Sequence, residues 1–346
     1  NYYVKDFFFF FFRKRIKDDE FQKNLLHYIN SGRANELLEK AISIINNHIE
    51  KEKYPNALVK QLLVTNLDLT FNLLVFIEKN EIYDTSEVAR YFSILNWFKT
   101  DKNIGMSLFE ILKQSNSWKE SYFNLVKAKK VKLILPPNIL RENLKNIVIN
   151  QMLCSDYWNE SVREQFSKEL KEYYSDYEFK EEEIVNSFRE LINSIYWNKS
   201  LLIFAQRNYI VEKFKDYNQF ENIEDTNRPW DWDHIYPASW INNKEKIAQI
   251  VKNWKECIGN YRALSFDDNR SESNNVSPKE RFSKDNNRAD SFINDDDFSY
   301  WNQIDVNYYR LKGDNLSNDK IRNYLSAIIF RMCNIYEEWY INYLKL

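Results

Sequence analysis

"RPWDWDHIYPASW", residues 228–240, is where a long run of helical sequence stops. Upstream of it, apolar residues recur every three or four positions. Within it, Asp231 and Asp233 stand two apart, His234 follows directly, and Pro237 closes the segment. Three of the ten tryptophans (Trp230, Trp232 and Trp240) frame one of only three histidines. Neighbours on a strand face opposite sides, so Asp233 and His234 share a space only at a strand end or bend.

Working outward, the flanks read as helices. Only four glycines occur in 346 residues, which favours helices over a turn-rich β fold. Leu37, Leu38, Ala41, Ile42, Ile45 and Ile49 mark one helical face, with Gly32 as a stop before it. Pro55 opens a further helix through "NALVKQLLVTNLDLTFNLLVFIEK". Helical segments are expected around 85–98, 105–127, 138–153, 159–173 and 180–217, with Pro136 and Pro137 ending the apolar Leu133–Leu135 stretch. At the other end, Ile321, Tyr324, Leu325, Ile328, Met332, Ile335, Trp339 and Tyr343 form the stripe of a long helix with Ser317 as N-cap. That stripe reads as core packing.

Composition limits the function classes. Hydrophobic residues make up 44% and charged residues 29%, as in an ordinary globular chain. The longest apolar stretches, Phe7–Phe12 and Leu201–Ala205, fall far short of the ~20 residues of a membrane span. Net charge is −2, so any nucleic-acid contact needs local basic patches. The three cysteines (Cys154, Cys257 and Cys333) never form a CxxC pair, which points to a reducing, cytoplasmic setting without a cysteine-based zinc site. With no opening Met and no signal peptide, the chain reads as lacking an N-terminal part.

Between Asn222 and about Asp297 the helical period fades, and strand-like "IGNYRALSF" follows the connection "INNKEKIAQIVKNWKEC", which carries a helix of its own. The segment reads strand, long connection, strand, short helix. Asp233 at a strand end can hold a hard divalent cation while His234, whose ordinary pKa is about 6.5, faces a water to be activated. A second oxygen donor is available in "GNYRALSFDDNRSESNNVSP", from Asn260 or Asn269. Each fragment alone also fits bland roles, the tryptophans as core anchors and "DDNRSESNN" as a solvated loop.

Taken in order, "DWDHIYPASWI", "GNYRALS" and "DDNRSESNNVSP" resemble an HNH endonuclease motif of the ββα-metal type, including the HNH module of RNA-guided CRISPR nucleases. The chain more closely resembles the C-terminal helical and HNH part of GmrSD-type restriction and anti-phage proteins. The match covers roughly residues 228–284. The resemblance implies a mainly α fold, with a helical domain (1–221), an inserted ββα-metal module (222–297) and a C-terminal helical segment (298–346) packing on the helical domain. It implies a metal-dependent endonuclease that hydrolyses DNA, modified phage DNA included, as the effector of a restriction system in antiviral defence. His234 is then the general base, Asp233 and Asn269 hold Mg²⁺ or Mn²⁺, and Asn260 is a scaffold residue fixing the His-bearing loop.

Lesser assignments carry alternatives. Asp231 is either an outer-shell residue or a surface or cap residue, and Arg270 either contacts the scissile phosphate or is a solvated helix arginine. Asn275 braces the helix or adds a ligand. Arg281 and Lys284 are candidate phosphate contacts. Lys127, Lys129, Lys130 and Lys132 of "KAKKVK" form either a phosphate-tracking patch or an ordinary solvated face. The acidic "EFKEEE" and "NDDDF" are expected to face away from nucleic acid. The family's nucleotide-binding ParB-like domain has no counterpart motif here, and it is expected as a missing domain or partner; homo-oligomerisation and nucleotide control stay open. Two other readings remain: an inactive helical sensing module that keeps an HNH fold, and an RNA-cleaving toxin.

Overall fold

The computed structural model describes residues 30–48, 56–145, 167–214, 229–242, 249–271, 277–282, 295–303 and 319–346, together with Lys23, Leu26 and His27. The chain is mainly helical, with one two-stranded antiparallel hairpin and a long C-terminal helix. It divides into two units at Leu133/Ile134. The hairpin and the C-terminal helix belong to the second unit. Among the described residues no helix is long and apolar enough to cross a membrane.

In the first unit, α1 (Arg33–His48) packs on α3 (Leu67–Lys79) and α4 (Thr85–Trp97). Gly32, at φ +77°, makes the turn before α1, as a residue without Cβ can do at little cost. The expected single helix through "NALVKQLLVTNLDLTF" is split at Asn66 into α2 (Asn56–Thr65) and α3. Likewise 105–127 becomes α5 (Ile104–Leu112) and α6 (Trp118–Lys127), because Ser117 caps α6 by accepting from the Glu120 amide. Periodicity carries across such breaks; caps decide where helices start. Trp118 is fully buried between the ring edges of Phe76 and Phe92.

The second unit begins with α7 (Pro137–Leu144), Pro137 taking the first-turn position it favours. After α8 (Lys168–Ser175), the expected helix over 180–217 appears as α9 (Glu181–Tyr196), α10 (Lys199–Ala205) and α11 (Arg207–Lys213). Asn198 makes the first break by capping the Ser200 and Leu201 amides. Strand β1 (Trp230–His234) pairs with β2 (Tyr261–Ser265), Asp233 opposite Arg262 and His234 opposite Tyr261. Between them lie α12 (Ser239–Asn242), α13 (Gln249–Trp254) and a 3-10 turn at Ile258–Asn260. Then α14 (Phe266–Ser271) follows β2 directly.

The open edge of β2 is covered rather than left to pair with another chain. The Ala263 amide donates to Gln206 Oε1 at 2.7 Å and the Ser265 amide to Tyr209 Oη at 3.0 Å. After α15 (Pro278–Arg281) and α16 (Asp295–Gln303), the long α17 (Asp319–Trp339) buries its apolar stripe against α7, α10, α13, α16 and the 3-10 turn. Its partners therefore lie in the second unit. The expected cap Ser317 and the Phe7–Phe12 run lie outside the described residues. In "NDDDF", Asp297 is buried, accepting from Arg141 at 2.7 Å and Asn334 at 2.9 Å.

Two features of α17 lock the hairpin's return turn. Arg331, itself fully buried, donates through Nη1 to the carbonyls of Ile258, Gly259 and Tyr261 at 3.0, 3.0 and 2.6 Å. Gly259 lies so close to α17 that a Cβ there would overlap the Ile328 carbonyl oxygen and come within 2.8 Å of its carbon. Because the obstacle is backbone, it cannot swing aside. Gly259→Ala is therefore expected to lower stability by about 3 kcal/mol, the upper end of overpacking costs, read as a fall in the urea midpoint.

Candidate functional site

The two faces of β1 carry different chemistry. Asp231 and Asp233 share one face, and Trp230, Trp232 and His234 alternate with them. On the aspartate side, Asp233 Oδ2 accepts from Arg262 Nε at 2.9 Å and from Arg281 Nη1 at 2.7 Å. All three side chains are nearly sealed, at 7%, 2% and 2% exposure. Burying these charges is tolerable only because they pair. Arg281, expected at a phosphate backbone, is thus an internal partner of Asp233 and is not placed to meet a nucleic acid. Asp233 stands as the counter-charge of two guanidiniums, which disfavours a cation on the same oxygen.

Of the two residues expected to hold a metal, Asn269 meets Asp231, which was expected as an outer-shell, surface or cap residue. Asn269, on α14, donates from Nδ2 to Asp231 Oδ2 at 3.0 Å. Turning that amide over presents its Oδ1 beside Asp231, so the two can offer oxygens to a hard cation, which keeps several waters of its own. Among the described residues no group of three or more His, Cys, Asp or Glu side chains is gathered in metal-binding geometry. The backbone of Arg270 lies in α14, but its side chain is not among those described; Asn275 and Lys284 lie outside the described residues.

Asn260 is fully buried at the base of the hairpin. Its Oδ1 accepts from the Tyr236 amide at 2.8 Å, and its Nδ2 donates to the carbonyls of Tyr236 and Lys255 at 3.3 and 2.9 Å. Its own carbonyl accepts from Ile235 N at 2.9 Å. The side chain thereby ties the segment after His234 to the segment before β2. It touches no reacting group in this arrangement and acts as a positioning residue.

His234, the last residue of β1, lies against its cross-strand partner Tyr261 with ring centroids 4.4 Å apart. The side chain is 21% exposed, yet Nε2 is sealed from solvent and makes no hydrogen bond. That nitrogen faces Glu256 Oε2 at 3.5 Å. Burial pulls the imidazole below its ordinary pKa, against the upward pull of Glu256 and Asp233, so the neutral ring prevails at neutral pH. Glu256 is held in turn. Tyr261 Oη donates to its Oε2, and Lys255 Nζ lies 3.3 Å from its Oε1. Burial works to raise the Glu256 pKa, but Tyr261, His234 and Lys255 together keep it below the usual carboxylate value. Nearby, Lys199 Nζ sits over the Tyr261 ring at 4.4 Å and the Trp232 ring at 5.3 Å.

The chain matches no protein-family model, no curated protein and no solved structure. The reading of the site therefore stands on its own residues.

Glu256 was not legible in the sequence: it lies in the connection before β2, 22 residues from His234, and no spacing rule links it to a strand-end histidine. The tryptophans serve as framework. Trp230 is buried against Phe214, and Trp240 against Tyr236. The basic cluster, in the first unit, is partly consumed by structure. Lys130 Nζ donates to Ser107 Oγ at 2.6 Å and Lys132 Nζ to the Lys99 carbonyl at 3.0 Å, while Lys127 and Lys129 are exposed.

The two aspartates should separate cleanly on mutation. Asp233→Ala strands two buried guanidiniums and is expected to cost about 3–5 kcal/mol. Asp231→Ala removes one part-buried hydrogen bond, worth about 1 kcal/mol. Chemical denaturation of the two variants reads the difference; equal losses would contradict the buried-triad account.

Proposed function

We propose that the second unit is an HNH-like endonuclease that hydrolyses phosphodiester bonds in DNA, in the manner of the effector part of a restriction system. The observation that carries this reading is the arrangement itself. A hairpin ends in His234, the buried Asn260 fixes the following loop, and the helix directly after β2 brings Asn269 onto Asp231. The order of residues that suggested the motif is thus accompanied by a strand–strand–helix unit of matching order.

In this reading His234 accepts the proton of a water whose oxygen attacks phosphorus, and the P–O3′ bond breaks as the 3′ oxygen leaves and takes a proton from solvent. A neutral imidazole can accept that proton; a protonated one cannot. Asp231 and Asn269 are the residues suited to hold Mg²⁺ or Mn²⁺, on the face of β1 opposite His234. A phosphate served by both therefore has to reach past the end of the strand where His234 stands. Asp233 serves to neutralise Arg262 and Arg281. When bound, such a cation supplies charge neutralisation at the phosphate oxygens. Asn260 keeps the backbone after His234 in place, so that the ring enters the reaction already oriented.

A second reading has an observation of its own. Asp233 committed to two arginines and the sealed Nε2 of His234 both suit a hairpin kept as scaffold in an inactive sensing or interaction module.

The full chain, incubated with plasmid DNA and with RNA side by side in Mg²⁺ or Mn²⁺, discriminates the readings. The nuclease reading expects DNA cleavage that stops with chelator, falls about 10²–10⁴-fold in His234→Ala, and weakens with a raised metal requirement in Asp231→Ala and Asn269→Ala. Cleavage of RNA alone would favour a toxin. Wild-type rates in His234→Ala, or no cleavage with any metal or nucleotide, would overturn the proposal.

A further inference from the structure

His234 and Glu256 form a titratable pair on the histidine side of the hairpin that the motif does not explain. Four contacts converge there. His234 Nε2 is closed to solvent and faces Glu256 Oε2 at 3.5 Å. Tyr261 Oη donates to that same carboxylate. The Tyr261 ring lies along the imidazole at 4.4 Å between centroids. Lys255 Nζ holds the other carboxylate oxygen at 3.3 Å. Tyr261 therefore braces both members of the pair, one through its ring and one through its hydroxyl, from the register position opposite His234.

A sealed imidazole nitrogen aimed at an acceptor-only carboxylate is the nitrogen that carries the proton. The remaining ring nitrogen then keeps its lone pair. We propose that Glu256 is a positioning residue for His234: its carboxylate, set by Tyr261, fixes the ring with the proton on Nε2 and leaves Nδ1 as the proton acceptor. The 3.5 Å separation is longer than an ordinary hydrogen bond, and such contacts commonly tighten only when substrate binds. The outer carboxylate that fixes a ring nitrogen's tautomer has a well-known physical role: without it, the wrong nitrogen faces the reaction for part of the time. The catalytic half of this inference rests on the nuclease reading; the tautomer half does not.

The test accordingly has two independent arms on the full chain. Long-range ¹H–¹⁵N spectra of the histidine rings report which nitrogen is protonated, and only three histidines need assignment, His234 being identified by its loss in His234→Asn. The expected result is an Nε2-protonated His234 in the wild type, a mixed tautomer in Glu256→Ala, and an intermediate signature in Tyr261→Phe, which keeps the ring and removes only the hydroxyl. In the second arm, Glu256→Ala is expected to lower kcat about 10–100-fold with KM little changed, and Glu256→Asp to recover part of the loss. An Nδ1-protonated wild-type ring, or a His234 signature that does not change in either variant, would overturn the proposal. So would an unchanged kcat in Glu256→Ala when the wild type is active. A wild type that cuts nothing while its tautomer responds to Glu256 would instead sink the nuclease reading alone.

Discussion

Three hydrogen bonds from one buried guanidinium organise the second unit. Arg331 reaches from the C-terminal helix to the carbonyls of Ile258, Gly259 and Tyr261 and so fastens the buried turn to that helix. Gly259 makes the approach possible by presenting bare backbone to Ile328. With the turn held, Asn260 is fixed at its centre and can bond both flanks, and the strand pairing that places His234 opposite Tyr261 follows. The hairpin, too small to be stable by itself, borrows its rigidity from α17 and from the helices that cap its edge.

The two sides of β1 then diverge in character. On one, Asp233 is spent on structure: a single carboxylate balances two arginines in a nearly dry environment. On the other, His234 is half-buried, neutral, and set against a carboxylate whose second oxygen is already engaged. Placing these groups on one surface would let Arg262 and Arg281 compete for Glu256. Strand alternation keeps them apart, so the same five residues contribute a charge clamp and a histidine of defined surroundings.

Much of the fold was legible because helices announce themselves through apolar spacing; the stripe from Ile321 to Tyr343 is buried along its length. The break points were not legible, since Asn66, Ser117 and Asn198 look like any polar residue until their side chains meet the next turn's amides or leave a turn unbonded. The hairpin segment was legible from the loss of helical period and from the ordered Asp-His, Gly-Asn and Asn residues. Its electrostatics were not. Asp233 reads as a metal ligand until Arg262 and Arg281, 29 and 48 residues away, are seen on its oxygen. Glu256 and Arg331 acquire meaning only through contacts that spacing cannot encode.

The order of those contacts along the chain has a temporal side. Residues 230–265 emerge from the ribosome well before Ile328 and Arg331, so a nascent hairpin meets its clamp only when α17 has been made. A chain shortened ahead of α17 lacks the three guanidinium bonds that fasten the turn below His234.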